Sequence, residues 1–210
     1  MNSPVTVIVL AAGLAGRLGA RRRSAQAPDD NGHAGAVLSA SLRNAIASRL
    51  PVLVVTSADL APLAHMHVAA RDVVVMPMQV RGSGVGDSIA AGVSARADAP
   101  GWLVLPGDMT QVQPATLQQV ALALQTHAVA YAQYRGRRGH PVGFSAELYS
   151  ELVALHGDEG ARRLVARYPA QAVEVDDPGV LIEVDAVQDI ATLRGVQGGR
   201  AAAAGVPLLR

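Results

Sequence analysis

The 210-residue chain is predicted to be an α/β protein built on a mostly parallel sheet. Three observations carry that expectation. Short apolar runs alternate with helical stretches, which is the order of βαβ units rather than of a sandwich. Three of the runs are almost continuous in Val, Ile and Leu, as strands buried on both faces are. Helix candidates lie between the runs, at Leu38–Ser48, Asp87–Arg96 and Pro114–Gln125.

The first strand is Val5–Leu10, which breaks into Ala11-Ala12-Gly13 and a glycine-rich turn. The segment Arg22–Gly35, polar and acidic at Asp29-Asp30, reads as a mobile loop. A helix follows at Leu38–Ser48, then strands at Val52–Thr56 and Val73–Met76, a helix at Asp87–Arg96 and a strand at Trp102–Leu105. Pro114–Gln125 is a helix, because proline opens it and Leu117, Val120 and Leu124 recur at helical spacing. Val129–Tyr131 is a fifth strand. Beyond Tyr134 the texture changes. Arg135–Pro141 reads as an arginine- and glycine-rich loop, Val142–Phe144 as a short strand, and Ala146–Leu155 and Glu159–Tyr168 as helices. Late strands at Val173–Val175 and Leu181–Val184 and a helix at Val187–Arg194 complete one domain over residues 1–195. Residues 196–210 are expected to be a flexible tail.

Composition narrows the function. Half the residues are apolar and 17% are charged, and the formal net charge is +1. The broad basic surface of a nucleic-acid binder is not expected. All 18 basic residues are arginines, with no lysine and no cysteine, so disulfides, thiolate metal sites and cysteine nucleophiles are excluded. The apolar N-terminus lacks the basic region of a secretory signal, and no run approaches the ~20 residues of a membrane span. A cytoplasmic location follows as the expectation.

Five stretches could carry chemistry. Val5–Gly19 ends in small residues followed by Arg17, and its Gly13, Gly16 and Gly19 fall three apart. That is neither the dinucleotide fingerprint nor a P-loop, but it lets backbone N–H groups approach an anion, with the alternative of a plain βα turn. Val104–Met109 puts Asp108 at the carboxyl end of a strand, where Mg²⁺ could be held, or where Asp simply ends a turn. In Leu181–Asp185, period two places Glu183 and Asp185 on one strand face, so both could aim at one metal. Arg81–Ile89 alternates glycines before a helix, where Ser88 and the glycine backbone could read a base edge or merely form a flexible turn. Gly139-His140-Pro141 sits near arginines and would suit an anionic second substrate, though a lone histidine is more often structural. Asp158, downstream, fits an N-cap of the following helix.

Taken in order, these pieces resemble the molybdenum cofactor cytidylyltransferase family and its nucleotidyltransferase relatives. The match covers most of the chain: Leu10-Ala11-Ala12-Gly13 with Arg17 and Gly19, Gly86-Asp87-Ser88-Ile89, Gly107-Asp108-Met109, Gly136 to Pro141, Gly157 to Arg162, and Glu183-Val184-Asp185. The resemblance implies a Rossmann-like, three-layer fold with a mostly parallel mixed sheet, and transfer of CMP from CTP to molybdopterin cofactor with release of pyrophosphate. It implies that Leu10, Ala11, Ala12, Gly13 and Gly86 bind the nucleotide and Ser88 lies near the base. Arg17 and Arg22 would act on the phosphates, and Asp108 and Asp185 would hold Mg²⁺. His140 and Arg138 would face the acceptor, and a molybdenum hydroxylase would be a client. The family's lysine is Arg22 here, its following leucine pair is Arg23-Ser24, and Glu183, Ala186 and Thr110 also depart from its pattern. An NAD(P)H-dependent oxidoreductase of the nicotine-blue-reductase type and a non-catalytic molybdenum-cofactor carrier are the rival readings.

Overall fold

The computed structural model describes residues 4–14, 30–77, 84–158 and 160–183. Seven strands form one sheet: β1 (Thr6–Leu10), β2 (Val52–Thr56), β3 (Val73–Val75), β4 (Gly101–Pro106), β5 (Val129–Tyr134), β6 (Arg137–Ser145) and β7 (Ala170–Glu174). Their order across the sheet is β3-β2-β1-β4-β6-β5-β7. β1, β2, β3 and β4 run parallel, as do β5 and β7, and β6 is antiparallel to both of its neighbours. The sheet is therefore mixed and mostly parallel, as the sequence predicts.

Helices cover both faces: α1 (Asp30–Ala47), α2 (Ala61–His65), α3 (Val85–Ser94), α4 (Pro114–Ala123), α5 (Tyr149–Val153) and α6 (Gly160–Arg167). Side chains alternate along a strand, so β1 feeds two cores. Val7 and Val9 pack with residues of α1, α2 and α4, including Leu38, Leu42, Ala64 and Leu117. Ile8 and Leu10 pack on the other side with Ile89 and Val93 of α3, Leu152 of α5 and Leu164 of α6. Three layers result. Trp102 is fully buried in the second core and its Nε1 donates to the Arg96 carbonyl at 2.9 Å. No described helix is long and apolar enough to cross a membrane.

Three sequence expectations are corrected. The polar loop expected over Arg22–Gly35 gives way to helix from Asp30, because Ala34, Val37, Leu38 and Leu42 share a buried face that stabilises a turn the local residues do not favour. The loop expected at Arg135–Pro141 is a hairpin. Arg135 and Gly136 take φ of 50° and 74°, the two positive values of a type I′ turn, and Tyr134 pairs with Arg137 across it. The strand expected at Leu181–Val184 is absent over its described part, since Pro178–Leu181 is a 3-10 helix. Asp177 holds this helix in place. It is buried, and its Oδ2 accepts from the Gln113 N–H and Thr116 Oγ1 at the start of α4 while Oδ1 accepts from Gly179. Asp158, just ahead of α6, also reaches α3, its Oδ1 accepting from the Val85 N–H. The expected helix Val187–Arg194 and the tail 196–210 lie outside the described residues.

Candidate active site

The strand order places a site. From β1 the chain winds outward to β2 and β3, then returns across β1 to form β4. That reversal lies between β1 and β4, and ligands of open α/β sheets bind beyond the carboxyl ends of the strands at such a point. A cavity of about 880 Å³ opens there. Leu10, Val104, Pro106, Asp108 and Met109 form its floor, β6 contributes Arg137 to His140, and Val85 and Ile89 of α3 stand on one side. Asp158 and Arg162 close another side, and Glu183 lines the rim.

Two expected pieces meet on this floor. Leu10 and Pro106 are register partners, and the Gly107 N–H donates to the Leu10 carbonyl at 2.9 Å, so the first bend and Asp108 are neighbours. The bend itself is anchored, with the Ala11 N–H on the Val55 carbonyl and the Leu14 N–H on that of Ala11. Ala11 is buried, and Ala12 and Gly13 are half-buried. Asp108 is 4% exposed and still faces the cavity.

His140 and Arg138 share the cavity wall. Burial, and then the nearby Arg138 guanidinium, push the His140 imidazole down to about 4, against a smaller opposing pull from Asp108. The ring is therefore neutral near pH 7. The residue lines the cavity, and its Nδ1 is buried with no hydrogen-bond partner among the described residues. The Arg138 guanidinium lies 4.5 Å from the Tyr131 ring centroid, which holds the charge at the cavity edge by a cation–π contact. Gly139 is required between them. A Cβ there would stand 2.2 Å from the Val180 carbonyl oxygen, so only glycine lets the 3-10 segment cross β6 and bring Glu183 to the rim.

Of the residues expected on α3, Gly86 spends its N–H on the Gly157 carbonyl and Ser88 is buried, while their neighbours Val85 and Ile89 face the cavity. Arg17, Arg22 and Asp185 lie outside the described residues. Arg137 and Arg162 are cavity-lining residues that the sequence reading did not single out. Arg162 occurs within the Gly157 to Arg162 motif, and Arg137 follows the hairpin turn, where a glycine after one residue was the available signal.

A divalent cation fits this floor. Asp108 and Glu183 bring two carboxylates to one cavity, and no cluster of three or more metal-ligating side chains occurs among the described residues. A divalent cation held by one or two carboxylates, with substrate phosphates and water completing its shell, is compatible with these two side chains.

Known proteins share this architecture. The chain is 30% identical to the purine catabolism protein PucB of Bacillus subtilis (strain 168) over 210 residues, covering 92% of this chain and 98% of that one. Rv0371c from Mycobacterium tuberculosis H37Rv is 28% identical, with a TM-score of 0.70 over 92% of this chain and 98% of that one, and it has also been solved in complex with manganese. A 4-diphosphocytidyl-2C-methyl-D-erythritol synthase from Anaerococcus prevotii DSM 20548, 11% identical, shares the fold alone, with a TM-score of 0.65 over 93% of this chain and 96% of that one. The family of the MobA-like NTP transferase domain matches residues 7–175, strand β1 to the end of β7, and the chain belongs to it.

Proposed function

We propose that this nucleotidyltransferase-family chain transfers CMP from CTP to the terminal phosphate of molybdopterin cofactor. An oxygen of the acceptor phosphate attacks the α-phosphorus of CTP, a new phosphoanhydride bond forms, the α–β bond breaks and pyrophosphate leaves. The chemistry needs positioning and charge stabilisation rather than a covalent nucleophile. The observation that carries the reading is the meeting of Leu10, where the first bend begins, and Asp108 at the β1/β4 reversal, both lining one cavity.

In this reading Leu10, Ala11, Ala12 and Gly13 seat the nucleotide, and Arg17 and Arg22 neutralise its phosphates. Gly86 and Ser88 act on the base from α3 indirectly, by setting Val85 and Ile89 against the cavity. Asp108, with Asp185, holds Mg²⁺, which when bound spreads the triphosphate charge and orients the leaving group. His140 offers a neutral hydrogen-bonding ring to the acceptor, and Arg138 a planar cation for its phosphate. The purine-catabolism name of PucB supports a molybdenum hydroxylase client that oxidises purine-type rings.

The test is a pyrophosphate-release assay with CTP, GTP or ATP, Mg²⁺ and molybdopterin, run beside NADPH with an electron acceptor. Release with CTP above the other nucleotides is expected. Oxidation of NADPH without any pyrophosphate release would assign the chain to the oxidoreductase reading instead.

A further inference from the structure

The first turn of α3 and the connection from α5 to α6 are about seventy residues apart in sequence and are fastened to each other at the cavity's edge. Oδ2 of Asp87 accepts from the Gly84 N–H at 2.8 Å and from the Gly157 N–H at 3.0 Å. Its Oδ1 lies 3.2 Å from Nδ1 of His156. Asp158 answers from the other side, its Oδ1 accepting from the Val85 N–H at 3.0 Å, and the Gly86 N–H donates to the Gly157 carbonyl at 2.8 Å.

This arrangement uses the N–H groups of Gly84, Val85 and Gly86, donors that a helix start leaves without intrahelical partners. They are committed to the protein, so the start of α3 meets substrate through side chains. Contact is too close for anything but glycine. A Cβ on Gly84 would stand 2.4 Å from Asp158 Oδ1, and one on Gly86 2.7 Å from the Gly157 carbonyl oxygen. The carboxyl of Asp87 is held down at about 2 by the Gly84 and Gly157 bonds first and His156 after them, so the fastening is charged at working pH.

Val85 and Ile89 line the cavity on one side of the fastening, and Asp158, Arg162 and Val165 on the other. We propose that Asp87 is a positioning residue that makes these two walls one rigid jaw and so sets how tightly the nucleotide is held, without touching the reacting atoms. The assignment rests on the cavity being the substrate site proposed above.

Two substitutions separate this role from general structural support. Asp87→Ala deletes the acceptor. Asp87→Asn keeps an oxygen where both backbone N–H groups can reach it. With pyrophosphate release as the readout, Asp87→Ala should raise KM for CTP about tenfold with kcat nearly unchanged, the pattern of lost ground-state and transition-state binding together. Asp87→Asn should recover most of that loss. Amide exchange at Val85, Gly86 and Gly157 should speed up in the alanine variant and stay slow in the asparagine variant. Asp98→Ala, an exposed acid before the amino end of β4 and so at the opposite end of the strands from the cavity, serves as the control. Faster exchange with an unchanged KM, or a fall in kcat with KM unchanged, overturns the positioning role. Alanine and asparagine variants of equal KM would also overturn it. A wild-type protein that releases no pyrophosphate with any nucleotide overturns the parent reading and this assignment with it, whereas an active wild type with an unaltered alanine variant overturns this assignment alone.

Discussion

At the scale of single residues, position in the sheet decides what a side chain can do. Asp108 owes its place to β4 ending beside β1, and a carboxylate held in so closed a site carries more electrostatic weight than one in water. Asp108→Asn should therefore leave the far-ultraviolet circular dichroism unchanged and cut pyrophosphate release at least about a hundredfold, the scale on which single electrostatic groups act in water-excluded sites. Asp108 was legible in the sequence because the apolar run Trp102–Leu105 followed by Pro106-Gly107 announces a strand ending in a tight turn. Asp177 was not legible. Nothing around it distinguishes it from Asp176, and its three bonds go to Gln113, Thr116 and Gly179, two of them more than sixty residues away.

At the scale of elements, the doubly buried strands announced themselves. β1, β2 and β4 are apolar on both faces because each feeds two cores, and that leaves a continuous signature in sequence. β6 left none. Its first half is Arg137, Arg138, Gly139 and His140, residues chosen for the cavity and for the close crossing of Val180 rather than for strand propensity. The fastening of α3 to the α5–α6 connection has a pH signature of its own. Asp87 titrates near 2 in the folded chain against an ordinary 3.8, so as pH falls the unfolded chain takes up this proton first. The stabilisation is complete above about pH 3.8 and is lost as pH falls through about 2. The melting temperature of the wild type should drop more steeply over that interval than that of Asp87→Asn, as followed by circular dichroism.

At the scale of the whole molecule, the strand reversal between β1 and β4 makes the core and the site one construction. Ile8 is fully buried at the centre of the sheet, paired in register with Leu53 and Val104, and packs with the same cluster that includes the cavity residues Leu10 and Ile89. Ile8→Ala should cost about 2–5 kcal/mol, measured by urea denaturation, and weaken CTP binding through the cavity floor. Such convergence is invisible in a linear reading, because Leu10, Asp108 and the arginines of β6 come to line one cavity only once the crossovers are set. The hairpin at Arg135-Gly136 has a practical consequence. Among the described residues, nothing but its two chain neighbours comes within 4 Å of where a Gly136 Cβ would stand, yet the strand that follows it carries Arg138 and His140 to the pocket. A short insert or a fluorescent dye spliced at that tip would ride on open solvent while its stem senses occupancy, turning the enzyme into its own ligand reporter.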